Sequence, residues 1–150
     1  GFNAYAAYTY LDASYAQAFL TCVAAPCAAP SPAVPAGNRI PGVPRTTLYG
    51  ELQWKHAPSG FSTALEARWN ASVYVNDVNS ESAGSYAVAN WRAGFEQNSG
   101  GWQIREFVRI DNLLDKRYIG SVIVNEGNGR FYEPSPRRNY LVGVSAALRF

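Results

Sequence analysis

The stretch FSTALEARWNASVYV, Phe61 to Val75, alternates without interruption. Phe61, Thr63, Leu65, Ala67, Trp69, Ala71, Val73 and Val75 fall on one side; Ser62, Ala64, Glu66, Arg68, Asn70, Ser72 and Tyr74 fall on the other. A period of two belongs to an extended chain, whose successive side chains point to opposite faces, and it does not fit the 3.6-residue repeat of a helix. The same alternation recurs in Phe2 to Tyr15, Arg45 to His56, about Tyr86 to Gln97, the segment from Trp102, and Asn139 to Phe150. Helical periodicity is nearly absent. The chain is expected to be all-β.

The connections alternate in length. A long Ala/Pro-rich stretch with five prolines from Pro30 to Pro44 separates the first two segments. The tight turn Ala57-Pro58-Ser59-Gly60 joins the second to the third, and NDVNSESAGS leads into the fourth. Asn98-Ser99-Gly100-Gly101 makes another tight turn, and VIVNEGNGRFYEPSPRR is a third long connection before the last segment. An up-and-down antiparallel sheet has this rhythm, with long loops (about 16–44, 76–86 and 121–138) at one end and tight turns at the other.

Segments of about eleven residues are long enough to cross a bilayer with tilt. No run of eighteen apolar residues exists, but a barrel strand hides its apolar residues at alternate positions. Aromatic residues reach 14% while charged residues stay at 16%, low for a water-soluble domain. On the apolar face Trp54, Phe61, Phe95 and Trp102 stand nearest the tight turns, with Phe150 at the same level. Toward the long loops the aromatics are Tyr8, Tyr10, Tyr86 and Tyr140. Two aromatic belts with small aliphatic residues between them suit a band facing lipid. Only Glu106 breaks the pattern, sharing a face with Trp102, Ile104, Val108 and Ile110. A bulge near Arg105-Glu106 that re-aims the carboxylate, or contact with a protein neighbour, would account for it.

Several functions are poorly supported. The net charge is only +2 and the basic residues are scattered, with no cluster longer than a pair such as Arg137-Arg138, which argues against nucleic acid. Cys22 and Cys27 read as a disulfide closing a small loop in an oxidising compartment, with a pair of buried thiols as the alternative. Zinc takes about four ligands and only His56 could assist the cysteines, so no metal or other cofactor is expected. With one histidine no acid/base or nucleophile constellation assembles, and a hydrolase acting through Ser62 or Ser72 is the least supported reading. Glu51 and Glu66, beside Lys55 and Arg68, read as cross-strand pairs on a wet wall. Gly127 to Arg130 reads as a turn rather than a phosphate cradle. There is no Met, and the chain reads as processed or excised from a larger protein.

Three stretches carry a family resemblance: GNRIPGVPRTTLYGELQW from Gly37, VRIDNLLDKRYIGSV from Val108, and EPSPRRNYLVGVSAALRF from Glu133. The first is similar to a Pro-punctuated return from an extracellular loop. The second resembles an Asn-Leu-hydrophobic-Asp-x-x-Tyr signature (Asn112, Leu113, Leu114, Asp115, Tyr118), and the third a closing Pro-x-Pro-x-Arg segment and terminal strand. Together they resemble the C-terminal end of TonB-dependent outer-membrane receptors.

The resemblance implies about six strands from a transmembrane barrel of about 22. Residues 1–150 would be its C-terminal part, with the plug, the TonB box and the earlier strands absent. It implies import of a scarce nutrient such as a ferric siderophore, energised through TonB by way of the plug. A passive pore or adhesin-like barrel without a plug is the alternative. Phe150 and the tight turns would be periplasmic; the long loops and a Cys22–Cys27 bridge would be extracellular, near lipopolysaccharide. Arg130, Phe131, Tyr132, Arg137 and Arg138 are the candidate ligand contacts, because guanidinium forks suit anionic groups and aromatic faces suit flat chelates; pairing of Arg137 and Arg138 with neighbouring loops or lipopolysaccharide phosphates is the alternative. Asp111, Asn112, Asp115 and Tyr118 are expected to fix a turn or bulge at the upper end of the fifth strand, through side-chain to backbone hydrogen bonds. Open sheet edges would make an isolated piece of this kind oligomeric or detergent-bound.

Overall fold

The computed structural model describes residues 1–22, 26, 29 and 33–149. The alternating segments form β1 (Phe2–Tyr10), β4 (Thr46–His56), β5 (Phe61–Asn70), β8 (Tyr86–Ser99), β9 (Trp102–Asp111) and β12 (Asn139–Leu148). They make one six-stranded antiparallel sheet in the order β1-β4-β5-β8-β9-β12, so each strand pairs with its neighbour among these six along the chain. The long loops carry short hairpins of their own: β2 (Phe19–Leu20) with β3 (Ala33–Val34), β6 (Val73–Tyr74) with β7 (Ser82–Ala83), and β10 (Ile119–Val122) with β11 (Tyr132–Pro134). The first and third segments read from the sequence therefore end early, at Tyr10 and Asn70, where the chain leaves the sheet for its loops.

Local chemistry sets the tight turns. Between β4 and β5 a single 3-10 turn over Ala57–Ser59 ends on Gly60 at φ 71°, whose N–H donates to the Ala57 carbonyl at 3.2 Å. Between β8 and β9, Gly100 (φ 56°) and Gly101 (φ 83°) supply the two consecutive positive φ values that a two-residue type I′ connection needs.

The register separates two faces. Phe2, Trp54, Thr63, Ala93, Val108 and Val142 are successive cross-strand neighbours on one face. That face is apolar and open, with Val142 73% and Val144 69% exposed. The opposite face carries Tyr49, Glu51, Glu66, Arg92, Arg109 and Asp111. Two readings from the sequence are corrected. The β8–β9 and β9–β12 pairings run without a register shift, so there is no bulge at Arg105-Glu106. Glu106 stays on the apolar face between Phe95 and Val144. Tyr86 pairs with Asn70 on the wet face and does not belong to an outer tyrosine belt.

Among the described residues the sheet has no core of the usual kind, and most side chains of its six strands stay exposed or half-buried. Val34 and Val75, the largest fully buried side chains among the described residues, both sit in the loops. Within the sheet, burial is confined to a few short or paired side chains, Ala64, Glu66, Val88 and Ala93. Backbone ladders between neighbouring strands hold such a wall. Among the described residues the outer edges of β1 and β12 are unpaired.

Candidate functional site

The wet face holds a charge network across four strands. Glu51 of β4 and Glu66 of β5 stand directly opposite each other, an arrangement that is repulsive unless bridged. Arg92 of β8 bridges them, with Nη2 2.8 Å from Glu51 and Nη1 paired to Glu66. Arg109 of β9 reaches Glu66 at 3.3 Å and Asp111 at 2.7 Å, and the Tyr49 hydroxyl donates to Glu51 at 2.9 Å. The cross-strand pairing expected for Glu51 and Glu66 is present, but its cations differ. Among the described residues neither Lys55 nor Arg68 makes an ion pair.

Above this network, toward the long loops, lies a cleft of about 380 Å³. Tyr49, Glu66, Arg68 and Val88 form its wall side, and Asn112, Tyr118 and Pro136 close it from the third loop. Tyr118 is held there by stacking on Tyr86, ring centroids 4.3 Å apart. Arg68, without an ion pair among the described residues, shares this recess with Glu66, Arg109 and Asp111. A larger hollow of about 640 Å³, lined by Lys55, Arg92, Arg105, Phe107 and Arg109, is the concave side of the wall nearer the tight turns.

The turn that carries Tyr118 is built by the side chains of Asn112 and Asp115; of the other two residues expected to fix it, Asp111 pairs with Arg109 and Tyr118 stacks on Tyr86. Asn112 and Asp115 both take φ 52°, a left-handed conformation that Asn and Asp tolerate. Asn112 is 3% exposed; its side chain accepts from the Lys116 N–H and donates to the Lys116 carbonyl, each at 2.8 Å. Asp115 accepts from the Arg138 N–H at 3.0 Å and takes the Arg137 guanidinium in a two-pronged pair. That fork and then the Arg138 N–H hold the Asp115 carboxyl down at about 2, and the Asp115 carboxylate pushes the Arg137 guanidinium still higher.

The candidate contacts in the third loop are therefore not equivalent. Arg137 is engaged by Asp115. The Tyr132 hydroxyl lies 3.1 Å from Glu81, and burial followed by that carboxylate raises its pKa. Phe131 packs edge-on against Tyr132 at 6.2 Å. Arg130 and Arg138 make no ion pair among the described residues. Of the aromatic set near the tight turns, Trp54, Phe61 and Phe95 form a continuous chain of rings, with centroids 5.9 and 5.0 Å apart. Trp102 shares their face, standing opposite Leu148. Cys22 is described, but Cys27 and Phe150, and with them the proposed bridge and the last member of the belt, lie outside the described residues.

A polar node that sequence reading missed joins the loops. Asp77, 7% exposed, accepts from the Tyr15 hydroxyl at 2.6 Å, the Thr21 hydroxyl at 3.3 Å and the Asn125 amide at 2.8 Å. Burial and the adjacent carboxylate raise the Tyr15 pKa to about 12. The partners lie 48 to 62 residues from Asp77, beyond the reach of any local motif.

The TonB dependent receptor-like β-barrel family model matches residues 1–113 of the 150. The chain belongs to this family. Residues beyond 113 fall outside that match, but structural likeness extends over them. The siderophore receptor PiuA from Acinetobacter baumannii aligns over 97% of this chain and 19% of its own, with 21% identity and a TM-score of 0.74. The ferric citrate transporter FecA in its unliganded form aligns over 75% of this chain and 18% of its own, with 15% identity and a TM-score of 0.65. The ferric yersiniabactin uptake receptor FyuA from Yersinia pestis aligns over 77% and 18%, with 24% identity and a TM-score of 0.57. The chain spans about a fifth of the length of these receptors, and the likeness establishes a shared fold. TonB-dependent receptor barrels sit in the bacterial outer membrane, where the apolar face of this sheet meets lipid and its charged face lines the interior.

Proposed function

We propose that this chain is the C-terminal wall and loop set of a receptor that imports a scarce nutrient across the outer membrane. The cargo is a ferric siderophore or similar chelate, and TonB supplies the energy by acting on a plug in the remainder of the protein. The family match over residues 1–113 carries this reading. The cargo class follows from neighbours described as siderophore, ferric citrate and ferric yersiniabactin receptors. In this orientation the tight turns and the C-terminus face the periplasm. The loops, and a Cys22–Cys27 bridge, face outward, close to lipopolysaccharide.

Cargo contact falls to groups with unspent charge or ring surface: Arg68 in the cleft, and Arg130, Arg138 and Phe131 in the third loop. Guanidinium groups suit the carboxylate or phenolate oxygens of an iron chelate. Arg137 and Tyr132, already engaged by carboxylates, act by shaping the loop. Trp54, Phe61, Phe95, Trp102 and Phe150 form the periplasmic aromatic belt.

Iron uptake by the source bacterium under iron limitation tests the reading, with a panel of labelled ferric chelates. Deleting the whole gene should abolish uptake of at least one chelate, and deleting TonB should abolish the same uptake. Uptake that persists at the same rate without TonB would instead identify a passive pore.

A further inference from the structure

Each long loop contributes groups to one buried polar node. Loop one (11–45) supplies Tyr15, Thr21 and Asn38, loop two (71–85) supplies Asp77, and loop three (112–138) supplies Asn125. The exchange is reciprocal. Asn125 donates to the Asp77 carboxylate at 2.8 Å and accepts from the Asp77 N–H at 3.0 Å, while Asn38 donates to the Asp77 carbonyl at 2.9 Å.

Backbone contacts reinforce the node on both sides. Asn79, held at φ 57°, clasps Arg39 by accepting from its N–H and donating to its carbonyl, both at 2.8 Å. The Gly42 N–H donates to Tyr74 at 2.8 Å and the Asn125 N–H to Val75 at 3.0 Å. The two fully buried valines, Val34 of loop one and Val75 of loop two, lie within these same two loops. Independent loops would satisfy their polar groups within themselves or in water. Here the most buried carboxylate outside the sheet among the described residues takes donors from both other loops, Tyr15 on one oxygen and Thr21 with Asn125 on the other.

We propose that the described parts of the three loops form one body keyed on Asp77, so that they move as a unit or not at all. Hydrogen bonds to a buried carboxylate are the strong kind, and a lost one leaves the charge unsatisfied. A disturbance at one loop is therefore felt at the other two, through a node that both outer loops share.

Hydrogen exchange of the full-length receptor in detergent or outer-membrane vesicles tests this without reference to transport. Asp77→Ala should speed amide exchange about ten-fold or more in all three loops together. Ser80→Ala removes a bond internal to loop two, from the Asn76 amide at 2.9 Å, and should speed exchange there alone. Acceleration confined to loop two in Asp77→Ala would overturn the proposal. If that variant loses the heat-modifiable gel migration of a closed barrel, Tyr15→Phe deletes a single donor and decides the matter. Faster exchange in loop three as well as loop one supports a single body, and a change in loop one alone contradicts it.

Discussion

Phe107 lies between two glycines on the wet face, opposite Gly94 on β8 and Gly143 on β12. A Cβ at Gly143 would meet the far edge of the Phe107 ring, which can rotate away into the interior. A Cβ at Gly94 would meet the Glu106 carbonyl oxygen, which belongs to the β8–β9 ladder and cannot yield without loss of register. Gly94→Ala should therefore destabilise the barrel by about 1–3 kcal/mol, and Gly143→Ala by clearly less. Urea unfolding of the two variants in detergent measures the difference. Asp115 gives a pH test of the same kind. Its carboxyl is held at about 2, below the usual 3.8, so its contribution is fully present above pH 4 and fades as pH falls through 2. The third loop should become pepsin-sensitive over that window. In Asp115→Asn the sensitivity should no longer change there.

The charge network belongs to β4, β5, β8 and β9 jointly, and its weak point is Arg92. Arg92→Ala leaves Glu51 and Glu66 facing each other, with Arg109 reaching Glu66 and Asp111 but not Glu51. Because Arg92 is about a third exposed, the expected loss is about 1–3 kcal/mol in unfolding, below that of a fully buried pair. On β9, Glu106 stands four residues from both Trp102 and Ile110, about 13 Å along the strand from each, inside the band facing lipid. Glu106→Leu should stabilise the barrel in vesicles by about 1–2 kcal/mol. A neutral or destabilising result would mean that a protein neighbour covers this spot. The faces of these elements were legible in the sequence, because parity along Phe61 to Asn70 or Asn139 to Leu148 is a local property. Which cation meets Glu66 was not. Arg68 is its neighbour along the chain, whereas Arg92 and Arg109 reach it through a register that only the assembled sheet defines. The bulge inferred at Glu106 failed for a related reason. The lipid penalty acts on a side chain, but the ladder of β8 and β12 on either side fixes the backbone.

Taken whole, the molecule inverts the usual layout of a small protein. Its apolar residues face outward on the sheet, its charges line the concave side, and its most buried valines sit in the loops beyond the strands. Turn length and alternation made the wall readable. The loop body stayed hidden because Val34, Val75 and Asp77 sit in segments without periodicity and meet only through contacts between distant stretches of chain. The central claim is that alternate residues of one strand see lipid and the barrel interior. Nitroxide labels at successive β12 positions of the full-length receptor, in a Cys22→Ser, Cys27→Ser background and reconstituted in vesicles, test it most directly. The account predicts that labels at Val142, Val144 and Ala146 are relaxed by oxygen dissolved in the lipid. Labels at Leu141, Gly143 and Ser145 should respond instead to a water-soluble relaxant. Equal access of the water-soluble reagent to both sets would contradict it.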